Sequence, residues 1–291
     1  MQLFPNCKIN IGLRVMRKRE DGYHDLETIF YPVYGLHDEL SICASDAFSF
    51  VQEGIAVDCS ADNNLIVRCY RQMKTKYPKI GEVEIRFRKH IPFGAGLGGG
   101  SSDAAHTAIA LNAIFQLGLS KEQLAQEVRS LGADCPFFVY NTPCFAEGIG
   151  DKLSPIDFSL EGLRLIMIKP NCSVSTREAY SGIHIQPNCT GIPRHIWKSR
   201  NTATDTERRL SYFASPCELV NDFERSVFPL HPEIGYIKQR LLDAGAIYAS
   251  MSGSGSTVFG LFENDAESRT LAQLRLLHEE FTTMILFDDT L

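Results

Sequence analysis

Five of the seven residues from Gly94 to Gly100 are glycine, inside the stretch Pro92 to Ala105 that reads PFGAGLGGGSSDAA. Glycine loses more backbone freedom on folding than any other residue, so such a run persists only where something lies close against the chain. The nearest physical reason is an anion. Glycines leave the amides free to point inward, and a helix that follows them presents its positive N-terminus. Two serines, an aspartate and an alanine-rich run come directly after, so the stretch reads as a phosphate cradle opening into a helix. A flexible linker is the plain alternative, but linkers are not flanked by an alternating strand and a helix.

A chain of 291 residues can bury two moderate cores. The expected division is 1–155 and 156–291, near Pro155. A net charge of −6 argues against broad electrostatic binding to nucleic acid or to an anionic membrane. Any anionic ligand must therefore be held by local groups. No apolar run approaches the ~18 residues needed to span a bilayer. The start, MQLFPNCKINIG, lacks the basic and apolar regions of a signal peptide. Nine cysteines lie scattered at 7, 43, 59, 69, 135, 144, 172, 189 and 217 with no C-x-x-C pair. That pattern reads as reduced, mostly buried thiols in a cytoplasmic protein and argues against a structural zinc site.

Residues 3 to 16 alternate, with Cys7, Ile9, Ile11, Leu13 and Val15 on one face and Lys8, Asn10, Gly12 and Arg14 on the other. Asp21-Gly22 marks a turn. Strand-like runs follow at 26–34, 39–43 and 83–92, with a helix over 64–75. The helix after the glycine run is expected from about Ser102 to Leu117, and another from Ser120 to Leu131, where Ser120 and Gln123 fit a capping box. Residues 181 to 216 are polar and weakly patterned and read as an irregular excursion. A helix ending at Gly245, a second loop Ser252-Gly253-Ser254-Gly255-Ser256, the strand TVFGLF, a helix over 266–279 and a strand over 282–287 complete the chain. Helices and strands mixed in this way make the fold α+β.

Two familiar phosphate loops fit poorly. A Walker-type loop needs lysine where Gly100 stands. The spacing of Gly94, Gly96 and Gly99 matches a dinucleotide fingerprint, but the downstream segment SKEQLAQEV is helical where an acidic strand end is required. Without a loop lysine, the cation for a transferred phosphoryl must come from elsewhere. Lys8 is the candidate, with Asn10 beside it on one strand face; a solvated lysine is the plain reading. Asp134, in LGADCPFF, is by itself a helix-start residue. Its apolar neighbours point to a dry site, where a carboxylate needs a partner such as Lys8. Such a pair can orient a hydroxyl and take its proton. Asp21 to His24 is either a plain hairpin turn or a ligand contact, with Tyr23 a stacking face and His24 a hydrogen-bonding handle for a planar heterocycle.

The unbroken run P-x-G-x-G-L-G-G-G-S-S-D-A resembles the ATP-binding motif of the GHMP kinase superfamily. K-I-N at 8–10, D-G-Y-H at 21–24, N-L-I at 64–66, L-G-A-D-C-P at 131–136 and F-A-E-G-I-G at 145–150 occur in order. Together they resemble the branch of that superfamily acting on a cytidine diphosphate derivative of methylerythritol. The resemblance covers most of the first lobe and residues 252–262. It implies two α+β lobes, the N-terminal one like ribosomal protein S5 domain 2 and the C-terminal one ferredoxin-like. It implies ATP and Mg²⁺, and phosphorylation of the 2-hydroxyl of that small molecule in non-mevalonate isoprenoid synthesis. Lys8 and Asp134 would be the catalytic pair. Pro92, Phe93, Gly94, Ala95, Gly96, Leu97, Gly98, Gly99, Gly100, Ser101 and Ser102 would wrap the ATP phosphates, with Asn64 and Lys89 near adenine. Asn10, Tyr23 and His24 would hold the cytidine end. Tyr180 would be its second aromatic wall, although Ser175 with Glu178 also reads as a plain capping box. Gly253 and Gly255 would approach the diphosphate. Ser101 and Ser102 offer hydroxyls to Mg²⁺, and the spacing does not choose between them. A homoserine or mevalonate kinase of the same superfamily, or a nucleotide sensor without activity, is the alternative. Residues 181–216 match nothing in the family pattern.

Overall fold

The alternating N-terminal segment forms a long strand, β2 (Asn6–Lys18), preceded by the short β1 (Gln2–Leu3). From Asn6 to Leu13 both faces of β2 are buried, the polar Lys8 and Asn10 included. The computed structural model describes residues 1–56, 60–185, 190–194, 196, 212–213, 218–263 and 284–291. Contacts divide the chain into two units that interleave along the sequence. One holds Met1–Lys8, Pro32–Phe93 and Gly98–Thr142; the other holds Ile9–Tyr31, Gly94–Leu97 and Pro143–Leu291. Packing thus divides the chain at several points and not at one near Pro155. Strands β2 and β3 (His24–His37) each run from one unit into the other.

In the first unit, β4 (Glu39–Ala44), β5 (Ser49–Gly54) and β6 (Val83–Lys89) join β1 in a sheet of order β1-β4-β6-β5. Helix α1 (Leu65–Lys76) starts where Asn64 accepts a hydrogen bond from the Ile66 amide, and it buries Ile66, Val67, Cys69, Tyr70 and Met73. Helix α2 (Gly99–Ile114) begins three residues before the expected Ser102, because Gly98 turns the chain with a left-handed φ of 70°. The two serines therefore lie within the first turn. Small side chains at Ala104, Ala105, Ala108 and Ala110 let α2 be buried on several sides. Helix α3 (Lys121–Arg129) carries the capping box of Ser120 and Gln123, and α4 (Cys135–Tyr140) is opened by Pro136.

In the second unit, β7 (Cys144–Glu147) pairs with β3 at Thr28↔Ala146 and Ile29↔Phe145, within a sheet of order β2-β3-β7-β8 completed by β8 (Lys152–Pro155). A further antiparallel sheet orders β10 (Tyr248–Met251), β11 (Val258–Glu263), β9 (Leu163–Lys169) and β12 (Met284–Thr290). Helices α5 (Thr176–Ser181), α6 (Glu224–Val227) and α7 (Pro232–Asp243) belong to this unit. Its core joins Ile166, Ile168, Phe223, Ile234, Ile237, Leu241 and Val258. Asn221 ties it together. Its amide donates to the carbonyls of Met251 and Gly253 at 2.7 and 2.8 Å, and the adjoining chain bonds to Leu13. The expected helix over 266–279 and most of the excursion over 181–216 lie outside the described residues. Among the described residues no helix is long and apolar enough to cross a membrane. Cys7, Cys69, Cys135 and Cys144 are buried free thiols, as expected.

The short piece Gly94–Leu97 packs on the second loop of this unit. The Ser252 hydroxyl donates to the Gly96 carbonyl at 2.9 Å, and the Thr257 amide donates to the Ala95 carbonyl. A Cβ at Gly96, whose φ is 76°, would fall on the Ser252 carbonyl; at Gly94 it would meet open space. Gly96→Ala is therefore expected to lower unfolding free energy by about 3 kcal/mol, from left-handed strain and overpacking together. Gly94→Ala is expected to lose only about 1 kcal/mol, from the strain alone. Urea denaturation followed by circular dichroism measures the difference.

Candidate active site

Glycine at 98 and 99 is required first by packing. A Cβ at Gly98 would meet the Phe138 ring at 2.9 Å and Lys8 Cε at 3.2 Å; at Gly99 it would meet Ile91 Cγ2 at 2.9 Å and Lys89 Nζ at 3.0 Å. Protein atoms therefore press on this part of the run, where an anion alone was expected. The contact also brings the Lys8 side chain to the start of α2. The first intrahelical bond runs from the Ser102 amide to the Gly98 carbonyl. The amides of Gly99, Gly100 and Ser101 thus precede the helical ladder and face outward from its positive end. Pro92, Ala95 and Leu97 are buried, whereas Phe93 is exposed.

Lys8 is 3% exposed, and its Nζ lies 3.7 Å from Asp134 Oδ2. Burial pushes the Lys8 ammonium below its usual range, against the pull of Asp134. The carboxylate is one-third exposed. Asp134 occupies the cap position of α4, yet its side chain makes no capping bond. The helix-start reading therefore does not account for it. A buried cation, a carboxylate open to solvent and a set of outward amides stand together in the first unit.

Lys89, expected near adenine, has its side chain engaged inside the first unit. Its side chain is 3% exposed and its ammonium donates to both Asp38 and Asp103, the latter at 2.8 Å. Burial works against the charge, but the two carboxylates outweigh it and raise the Lys89 ammonium above its usual range. Asp38 also accepts from the amides of His90 and Ile91 at 2.6 and 2.8 Å. This buried cluster fastens α2 to the end of β6, so any contact from Lys89 to adenine has to come from its backbone. Asn64 is likewise engaged, capping α1 through Oδ1 and donating to Gln52 through Nδ2. Ser102 is fully buried; its hydroxyl faces His106 Nδ1 at 3.3 Å and its amide is inside the helix. Of the two serines, Ser101 is left as a hydroxyl donor for a hard cation.

In the second unit, Asn10 is buried and donates to Thr28 Oγ1 at 3.0 Å, while its Oδ1 lies 3.4 Å from the Ser252 hydroxyl. Asn10, expected to hold the cytidine end, thus also braces the second loop from inside. Tyr23 is 61% exposed, in a turn where Asp21 Oδ1 accepts the Tyr23 amide. His24 stacks on Tyr180, with ring centroids 4.6 Å apart and 18° between planes, and Tyr180 meets Phe223 edge-on. Tyr180 here covers His24 directly. Burial, and then Lys18, hold the His24 imidazolium below its usual range. Gly253 and Gly255 take φ of 56° and 90° in the loop that Asn221 pins. Sequence reasoning missed Asn221, Asp38 and Asp103. Only Asp103 stands in a recognised motif, and nothing local shows that it meets Lys89.

Residues 64–142 match the family model of the GHMP kinases N terminal domain, and residues 206–276 match the GHMP kinases C terminal model. The 4-diphosphocytidyl-2-C-methyl-D-erythritol kinase of Bacteroides thetaiotaomicron is 49% identical over 267 residues, spanning 90% of this chain and 92% of its own. The chain belongs to the 4-diphosphocytidyl-2-C-methyl-D-erythritol kinase family. A crystal structure of a 4-(cytidine 5'-diphospho)-2C-methyl-D-erythritol kinase matches it with a TM-score of 0.76 and 29% identity, over 100% of this chain and 98% of that one. The mevalonate kinase of Methanococcus jannaschii, 13% identical with a TM-score of 0.67 over 100% of this chain and 98% of its own, shares the fold. Membership makes the α+β GHMP kinase fold and the kinase class those of this chain.

The two buried lysines of this family member should respond differently to mutation. Lys89→Met leaves two buried carboxylates without their cation and is expected to cost about 3–5 kcal/mol. Lys8 has the opposite sign. Its ammonium is depressed on folding, so the charged form is penalised at neutral pH and relieved only as pH rises toward the unfolded value. Lys8→Met leaves Asp134 hydrated and is expected to change stability by less than about 1 kcal/mol while abolishing turnover. Thermal unfolding measured beside ADP release checks both.

Proposed function

We propose that this chain transfers the γ-phosphoryl group of ATP to the 2-hydroxyl of 4-diphosphocytidyl-2-C-methyl-D-erythritol, as a cytoplasmic step of non-mevalonate isoprenoid synthesis. The observation that carries the reading is the Lys8–Asp134 pair at the amide end of α2. The name shared by the relatives supplies the substrate.

The amides of Gly99, Gly100 and Ser101, with the helix dipole behind them, bind the phosphate oxygens of ATP. Asp134 orients the acceptor hydroxyl and takes its proton as the oxygen bonds to the γ-phosphorus. The bond from that phosphorus to the β,γ-bridging oxygen breaks, and ADP leaves. Lys8 offsets charge on the transferring group. The one-third exposed Asp134 and the Ser101 hydroxyl, which is hydrogen-bonded to the Cys135 thiol, are hard oxygen donors that would hold Mg²⁺. That ion supplies further charge neutralisation. In the second unit, Tyr23 offers an exposed ring for a base to stack on. The His24–Tyr180 stack offers a second flat surface beside an imidazole that burial holds neutral.

ADP release measured against the cytidine substrate, homoserine and mevalonate is expected to respond to the first alone; silence with the cytidine substrate sinks the assignment. Asp134→Asn should lower kcat about 10²- to 10⁴-fold with KM little changed. Because burial depresses the Lys8 ammonium, kcat should fall on the alkaline side well before the ~10.4 of an ordinary lysine. Lys8→Arg should move that limb upward, as the pH profile of kcat would reveal.

A further inference from the structure

Elsewhere in the second unit, Cys172, His231 and Glu233 bring a thiol, an imidazole and a carboxylate together, with one ligand atom of each within 4.8 Å of the others. Cys172 follows β9, His231 stands at the start of α7, and Glu233 lies in the first turn of that helix. Nothing in the phosphoryl transfer uses them. His231 Nδ1 lies 3.8 Å from Glu233 Oε1, and its Nε2 donates to Glu178 Oε1 at 3.0 Å. A carboxylate that accepts the Nε2–H hydrogen bond leaves the Nδ1 lone pair on the side of Glu233. That is how metal-binding histidines are oriented by their outer partners.

The donor set is selective. A thiolate with an imidazole suits zinc and its neighbours and is foreign to Mg²⁺, which takes oxygen. With zinc–ligand bonds of roughly 2.0–2.3 Å, tetrahedral ligands stand about 3.3–3.7 Å from one another. The three atoms are therefore within about 1 Å of a closed site. All three residues are half-buried, which leaves the fourth position to water. The charges also close. A dication cancels the Cys172 thiolate and the Glu233 carboxylate, and the Lys169 ammonium donates to the Cys172 carbonyl at 3.1 Å.

We infer that Cys172, His231 and Glu233 form a zinc-class metal site, with Glu178 orienting His231. On binding, the Cys172 S–H bond breaks, the proton goes to solvent and a sulfur–metal bond forms, with no change of oxidation state. The ion ties the loop after β9 to α5 and to the start of α7. It also reaches the second glycine loop, because the Ser256 hydroxyl donates to the Cys172 carbonyl at 2.7 Å. Scattered cysteines argued against zinc only in the sense of paired thiols; one cysteine with distant histidine and glutamate leaves no spacing signature.

The test uses the full chain, stripped with a chelator and titrated with Co²⁺ and then Zn²⁺. One equivalent of Co²⁺ is expected to give tetrahedral d–d bands and a thiolate-to-cobalt charge-transfer band, both displaced by Zn²⁺. The melting temperature should climb with Zn²⁺ concentration above Kd. Cys172→Ser should lose the charge-transfer band while keeping the wild-type circular dichroism spectrum. Glu178→Gln should keep the band but bind about 10- to 100-fold more weakly. Absence of the band in folded wild-type protein, or its survival in Cys172→Ser, overturns the site.

Discussion

Close packing of backbone at the start of α2 is the constraint on which the rest of the catalytic arrangement depends. With hydrogen in place of a side chain at Gly98, the Phe138 ring and the Lys8 methylenes lie directly against the turn. With hydrogen at Gly99, Ile91 and the Lys89 ammonium do the same. One helix end thereby gathers two lysines, one on each side. Its own dipole points to where negative charge will arrive. The glycines serve the core first, since the approach that fixes the helix also places the Lys8 side chain at its start.

The same two lysines show how one unit divides stability from activity. Lys89 is held by two carboxylates, one of which, Asp38, also accepts two backbone amides, so its charge is overcompensated and holds strand to helix. Lys8 has one carboxylate at ion-pair distance, and that group is partly in water. Burial depresses the Lys8 ammonium despite the partner, a perturbation common at functional sites. Local rules of good packing are broken where chemistry is done and kept where it is not.

Part of the secondary structure was legible because its signals are local, whereas β5, β8 and β9 were not anticipated. Alternation marked β2 and β6, and Ser120 with Gln123 marked α3. The start of α2 was misjudged because serine is an ordinary cap and a left-handed Gly98 is not seen in composition. Lys8 and Asp134 were found as polar residues among apolar neighbours. Asn10, found by the same reasoning, and Lys89, singled out only by the family resemblance, are both bonded internally. A polar residue on a strand shows that something meets it, and only the fold shows whether that is a ligand or another side chain. Asp38 and Asn221 act through partners 51 and 32 residues away, and no window along the chain contains both ends of such a bond.

The interleaving of the two units has a bearing on how the protein is made. Everything the first unit needs has been synthesised once Thr142 leaves the ribosome, whereas the second unit must wait for chain beyond Pro143. Until then the apolar strand from Ile9 to Val15 has no Val220, Asp222 or Tyr248 to meet. The strand can pair early with β3, but its other edge stays uncovered through more than half of translation, long enough for a chaperone to find it.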